Sequence, residues 1–349
     1  MPERVDLRSD TVTKPTDAMR RAMAEAEVGD DVYGEDPTVR RLEELAAETL
    51  GKEAGLFVTS GTQGNQVAIA THAGRGEEVI AEAESHIFLY EAAAVSAIAG
   101  AQIRQIPGVA GALPPEAVAA AIREPNVHHP RTALIEVENT HNRAGGTVIP
   151  LDNLRRLREV ADRFGVPIHM DGARLFNAAI AAGVSAAEFA RLADTVQVCL
   201  SKGLCAPVGS VLVGPRDFIE RARQWRKRLG GGMRQAGVIA APGILALTTM
   251  VERLAEDHEH ARMLAEGLAE VPGIRVDLGR VQTNIVLVDI AGTGLAVEAF
   301  LASLAAEGVL ASAFGPTLVR FVTHRDVDRE GILRALSVIS RVVKGGVTA

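Results

Sequence analysis

Two spacings of apolar residues divide this chain into elements. In Pro37–Leu50, Val39, Leu42, Leu45, Ala46 and Leu50 recur at helical spacing, with Pro37 in the first turn and Gly51 as the stop. Short apolar runs at 54–59 and 132–137 predict buried strands. Asp152 is placed to cap a helix that turns Leu154, Leu157, Val160, Ala161 and Phe164 inward and ends at Gly165. A strand at 167–170 leads to Asp171, Ser185 with Glu188 reads as a capping box, and 211–213 is a further strand. Strands alternating with helical patterns predict an α/β sheet with crossover helices. After Gly230-Gly231-Gly232 the texture changes. A helical stretch over 235–270 is interrupted at Pro242-Gly243 and ended by Pro272-Gly273. Beyond it, strands Ile285–Asp289 and Leu318–Val322 and helices over 295–307 and 327–343 predict a compact α+β unit. The expected division is a large domain over 15–245 and a small C-terminal domain over 246–349.

Composition narrows the function classes. The 349 residues are 47% hydrophobic and 23% charged, with a formal net charge of -7, which fits a globular chain. No basic tract is interleaved with aromatics, so nucleic acid is not an expected partner. No apolar stretch reaches the length of a bilayer span, and the N-terminus lacks the apolar core of a signal peptide. The only cysteines are Cys199 and Cys205. A disulfide framework is therefore not expected, and a cytoplasmic enzyme is.

Those cysteines flank the most informative residue. Of 37 Lys and Arg residues only five are lysine, and one of these, Lys202, ends the apolar run from Val196 to Leu200. The residues after it, Gly203 to Gly209, read as a tight turn into a second strand. A lysine there is either a stem reaching from a strand end to water or a desolvated amine able to form a Schiff base. Upstream, Thr59-Ser60-Gly61-Thr62-Gln63-Gly64-Asn65 joins a strand to a helical run from Gln66 to Ala73. Its free amides, with the Thr62 hydroxyl, suit a phosphate. Asp171 lies at a strand's C-terminal end, where ligands bind in open α/β sheets. It is otherwise a helix cap, or an ion-pair partner for Arg174. Lys202 follows Asp171 by 31 positions (202 minus 171). Glycine turn, aspartate and lysine in this order match the layout of enzymes that use pyridoxal 5'-phosphate (PLP), with phosphate, ring nitrogen and aldehyde held in turn.

The motifs extend further. Asp6-Leu7-Arg8-Ser9-Asp10-Thr11, Gly29-Asp30-Asp31-Val32-Tyr33-Gly34, Glu138-Asn139-Thr140-His141-Asn142, and the segments 59–65, 170–174, 201–210 and 230–235 together resemble the L-threonine aldolases of the β-eliminating-lyase family. The resemblance implies the PLP-dependent transferase fold (aminotransferase fold type I), with a mostly parallel seven-stranded sheet in the large domain. It implies retro-aldol cleavage of L-threonine, L-allo-threonine and related β-hydroxy amino acids to glycine and an aldehyde. It makes residues 1–14 a segment that contributes to the site. It also implies that Lys202 carries the cofactor, Asp171 pairs with the ring nitrogen, Gly61 and Thr62 hold the phosphate, and Ser201 is among the cofactor-binding residues. Arg174 reaches the ring hydroxyl or the substrate carboxylate, and Ser9 and Arg320 grip that carboxylate. His86 stacks on the ring, and His128, preferred over His129, approaches the substrate hydroxyl. Tyr33, Lys227 and Arg234 complete a neighbouring subunit's site in a homotetramer with sites at the dimer interface. His141 is read as a loop anchor, His72 and His169 as packed, and His258 and His260 as solvated.

Two departures from the family pattern stand out. Ala92-Ala93-Ala94-Val95 replaces a Gly-Gly-Pro-like stretch after Tyr90-Glu91, and Cys205 stands where glycine is common. The alternatives are another PLP-dependent β-eliminating lyase, an aminotransferase, or a scaffold with a vestigial site. A bound metal ion, the β-carbon preference and the identity of the base that takes the hydroxyl proton (His86, His128 or a water) stay open at this level.

Overall fold

A computed structural model describes residues 4–346. Among these the strands are β1 (Val5–Asp6), β2 (Ala54–Val58), β3 (Glu78–Glu82), β4 (Gln102–Ile106), β5 (Thr132–Glu138), β6 (Ile168–Asp171), β7 (Thr195–Cys199), β8 (Ser210–Gly214), β9 (Arg275–Val276), β10 (Ile285–Asp289), β11 (Val309–Leu310), β12 (Ser312–Ala313) and β13 (Leu318–Val322). Seven of them form one sheet in the order β2-β8-β7-β6-β5-β3-β4. The run from β7 through β4 is parallel, while β8 is antiparallel to both neighbours. Each parallel step needs a crossover, and helices such as Leu151–Phe164 supply it. A second sheet, β12-β13-β10-β9, is antiparallel and carries its own apolar core around Phe300 and Phe321.

Helix Pro37–Leu50 forms as its pattern predicts. Asp36 accepts from the amides of Thr38 and Val39, Pro37 occupies the first turn, and Gly51 closes the end at φ 63°. Four local expectations need correction. Helix Leu151–Phe164 begins after Pro150, and Asp152 lies inside its first turn without capping it. The last residue, Phe164, is 37% exposed. Ser185 precedes helix Ala186–Ala190 but its hydroxyl makes no cap bond, so the box does not close. Pro242 lies inside the continuous helix Gly237–Thr249, and the chain instead bends by 72° between Thr249 and Leu254. A Cβ on Gly243 would come within 2.8 Å of Leu200 and 3.0 Å of Leu42. This close packing on the core offsets the backbone hydrogen bond that proline removes. No single described helix is long and apolar enough to cross a membrane.

The N-terminal segment ties the two sheets' territories together. β1 pairs in parallel with β11, and the Thr13 hydroxyl donates to the Lys202 carbonyl at 2.8 Å. Residues between those anchors, Ser9 and Asp10 among them, are thereby stretched across the C-terminal edge of the large sheet.

Candidate active site

A pocket of about 320 Å³ opens at that edge, and its lining includes Ser9, His86, Asp171, Arg174, Lys202 and Arg320. Six residues proposed from widely separated segments therefore share one cavity. Lys202 is half-buried and lies in the 200–209 connection between β7 and β8, a loop longer than the tight turn the sequence implied. Buried Leu200, Leu204 and Ala206 anchor this loop. Cys205 takes φ 65° within it, a left-handed conformation that glycine adopts without strain.

Strand register builds the floor of the pocket. Glu138, Asp171 and Gln197 sit side by side on β5, β6 and β7, all buried. Asp171 accepts from Gln197 Nε2 at 2.7 Å, from Asn65 Nδ2 at 2.8 Å and from the Ala173 amide at 3.0 Å. Burial opposes its charge, but His86, Lys202 and these donors outweigh burial and hold its pKa below the usual range. Asp171 does not pair with Arg174. Instead Arg174 binds Asp10 through both Nε and Nη2 at 2.7 Å, leaving Nη1 for the pocket. Asp10 also accepts from Asn284 at 3.1 Å. Although burial resists ionisation of Asp10, Arg174 drives its pKa well below the carboxylate range.

His86 opens the short helix His86–Leu89. Its Nδ1 lies 2.9 Å from Glu91 Oε1, which also accepts from Asn65, so Nε2 is left for the pocket. Burial lowers its pKa, but Glu91, Asp171 and Glu138 outweigh that and raise it. His86, Glu91 and Asp171 form a compact cluster with their ligand-type atoms within 4.8 Å. Directly after Glu91, Ala92 and Ala93 adopt φ 51° and 58°. The departure from a Gly-Gly stretch thus falls on backbone that favours glycine.

Arg320, on β13, donates to Asn142 Oδ1 at 2.7 Å, and its guanidinium lies 4.9 Å from the Phe314 ring centre. Burial, with Arg174 nearby, lowers its pKa to about 10. Ser9 accepts from the Thr11 amide and hydroxyl.

Helix Gly61–His72 starts five residues earlier than expected, at Gly61 rather than Gln66 (66 minus 61). Ser60 caps it by accepting from the Gln63 amide, so the Gly61 and Thr62 amides lead the helix without an internal partner. A Cβ on Gly61 would come within 2.7 Å of Cys199 Sγ and 3.4 Å of Gln197 Nε2. Only glycine lets the helix end approach the sheet edge beside Asp171. This end is an anion cradle of the kind a phosphate requires. Ser201 adjoins Lys202 on the loop, half-buried. Cradle, carboxylate and lysine together fit PLP.

Other expected residues lie outside the pocket. His128 and His129 are exposed in the loop after Arg123, and neither lines the cavity of its own chain. Tyr33 is 76% exposed, Lys227 and Arg234 are exposed, and Arg234 pairs with Asp30 at 3.1 Å. His258 is not solvated: it contacts Asn177 at 3.1 Å, and burial lowers its pKa to about 4. His260 is likewise partly buried. His141 accepts from the Ala144 amide within its own loop and pairs with Glu82 at the end of β3 at 3.0 Å. The functional residues missed from sequence are Asp10, Asn65, Glu91 and Gln197. For Gln197 the signal was polar side chains at every second position of an otherwise apolar strand, Thr195-Val196-Gln197, and for Asn65 a polar residue early in an apolar helix; Asp10 and Glu91 lie outside both patterns.

Fold and site together define an enzyme of the PLP-dependent transferase fold, with a lysine and a buried carboxylate facing one cavity. The family model for beta-eliminating lyases matches residues 6–292. Low-specificity L-threonine aldolase 1 of Arabidopsis thaliana is 46% identical over 97% of this chain and 96% of its own length. The low specificity L-threonine aldolase of Escherichia coli K12 is 46% identical over 93% and 95%. The solved threonine aldolase of Leishmania major superposes with a TM-score of 0.84 at 22% identity, covering 97% of this chain and 99% of that one. The chain belongs to the beta-eliminating lyase family.

Proposed function

We propose that this protein is a PLP-dependent aldolase that cleaves L-threonine, L-allo-threonine and related L-β-hydroxy-α-amino acids to glycine and an aldehyde. The observation that carries this reading is the convergence of Lys202, Asp171, His86, Arg174 and Arg320 on one pocket in a chain 46% identical to such aldolases. Bound PLP supplies the electron sink for the bond broken at the substrate α-carbon. Lys202 would hold its aldehyde end, Asp171 its ring nitrogen, and the Gly61 and Thr62 amides its phosphate, with Ser201 beside the lysine as a further cofactor-binding group.

The remaining work falls to the chain's own groups. Arg320, Ser9 and the free Nη1 of Arg174 would bind the substrate carboxylate and so fix the orientation of the α-carbon in the pocket. Such positioning is worth roughly 7 kcal/mol in favourable cases. His86 Nε2 takes the β-hydroxyl proton, with Glu91 steadying the ring from Nδ1. Tyr33, Lys227 and Arg234, exposed on their own chain, complete a neighbour's site in a homotetramer, and His128 reaches a neighbour's substrate by the same route. The enzyme works in the cytoplasm, where both buried thiols stay reduced.

The test is aldehyde release from L-threonine and L-allo-threonine with added PLP. Wild type is expected to release aldehyde and glycine from both, and Lys202→Ala from neither. Turnover by Lys202→Ala refutes the role of the lysine. Pyruvate or another oxo acid in place of aldehyde assigns the site to an eliminating lyase or an aminotransferase.

A further inference from the structure

Behind the row of Glu138, Asp171 and Gln197 lies a second polar row that the proposed chemistry does not use. Two residues back on the same strands, Glu136 pairs in register with His169, and His169 with Thr195. All three are fully buried. Because side chains alternate along a strand, both rows face the same way, toward helix Gly61–His72. A continuous chain of contacts results. His72 Nε2 lies 3.0 Å from Thr195 Oγ1, and that oxygen lies 3.0 Å from His169 Nδ1. His169 Nε2 lies 3.2 Å from Asn65 Oδ1. Asn65 Nδ2 then donates to Asp171 at 2.8 Å and Glu91 at 2.9 Å.

Counting donors from the carboxylate end leaves one arrangement. Ionised carboxylates only accept, so the Asn65 atom between Asp171 and Glu91 is its amide nitrogen. Its oxygen therefore faces His169, whose Nε2 must carry a proton. Burial keeps His169 neutral, with a pKa near 4 despite the Asp171 charge. Nδ1 is then bare and takes the single hydroxyl proton of Thr195. The Thr195 oxygen is left to accept from His72 Nε2. Every bond in the chain donates toward the pocket, and bonds so aligned polarise one another in the same sense.

We infer that Asn65 fixes the His169 tautomer, that Thr195 is a positioning residue holding the bare Nδ1 of that ring, and that His72, Thr195, His169 and Asn65 form a one-way hydrogen-bond chain steadying Asp171. The functional consequence, a better-held cofactor ring, rests on the PLP reading; the tautomers do not. Asn65 cannot reverse without aiming its oxygen at two carboxylates. Loss of the Thr195 hydroxyl therefore frees His169 at Nδ1 and weakens the chain at its middle.

The experiment is imidazole nitrogen NMR of 15N-histidine-labelled, cofactor-free protein at pH 7, with signals assigned by single histidine replacements. His72 and His169 are both expected to be neutral with the proton on Nε2. In Thr195→Val His169 should stay protonated on Nε2 while the signal of its bare Nδ1 moves to higher frequency as its hydrogen bond is lost, and Thr195→Ser should restore it. An Nδ1-protonated or doubly protonated His169 in wild type overturns the proposal, as does a Thr195→Val spectrum identical to wild type. If Thr195→Val does not fold, the wild-type tautomers and the Thr195→Ser spectrum still decide. With PLP added, Thr195→Val should lose roughly tenfold in kcat with KM for the amino acid little changed, the signature of a group acting on the reacting centre. Absence of PLP binding in wild type would count against the cofactor reading while leaving the tautomer result intact.

Discussion

Glu136 offers a direct test of the charge arrangement beneath the pocket. Both of its carboxylate oxygens are buried without a hydrogen-bond partner. Burial raises its pKa well above the ordinary value, and Asp171, Glu138, Glu91 and Glu82 push the same way. Glu136→Gln keeps the shape and removes the titration. Linkage sets the sign. A carboxyl whose folded pKa is raised binds its proton more tightly in the folded chain. Its stabilising contribution is complete below the unfolded value and declines as pH rises toward the folded pKa. Over that window wild type should lose about 1.4 kcal/mol per pH unit relative to Glu136→Gln. The gap should thus widen in favour of the variant as pH rises from 5 toward the folded pKa. The assay is denaturant unfolding of both proteins at pH 5, 6, 7 and 8 and equal chain concentration, so that assembly contributes equally. A stability difference that stays flat across this range, or grows in favour of wild type, refutes the reasoning.

Two other substitutions probe the pocket's frame. Ala92→Gly and Ala93→Gly should each raise the melting temperature slightly, because a left-handed alanine costs about 1–2 kcal/mol and glycine returns roughly 0.5–1 of that as unfolded-state entropy; a fall in both variants would show that the strain is not there. Asp10→Asn should destabilise by about 3 kcal/mol, since it leaves the buried Arg174 charge without its partner. The same variant should raise KM for the amino acid, and unchanged unfolding and kinetics would exclude Asp10 as the anchor of Arg174.

Local pattern carried much of this protein. Helix Pro37–Leu50 and strands Ile285–Asp289 and Leu318–Val322 have the bounds their periodicity implies, because alternation, first-turn proline and terminal glycine act within a few residues. Lys202, Asp171 and the Gly61-Thr62 turn were legible for a related reason: each sits at or just beyond a strand end or at a helix start, where chemistry and local signal coincide. What local pattern missed are relations across long separations. Arg174 lies three residues from Asp171, yet it binds Asp10, 164 positions away in sequence. The reason is that β6 points Asp171 at Asn65 and Gln197, while the N-terminal segment, held by β1 and Thr13, brings Asp10 to the guanidinium. Likewise Pro242 signals a break locally, but packing of Gly243 on Leu42 and Leu200 keeps the helix whole. The sequence by itself therefore determined the elements and the identity of the reactive groups, since both depend on short-range sterics and side-chain chemistry. Only the tertiary structure decided their partners, because burial removes water as a competitor and leaves each charge to the polar group that strand register sets beside it.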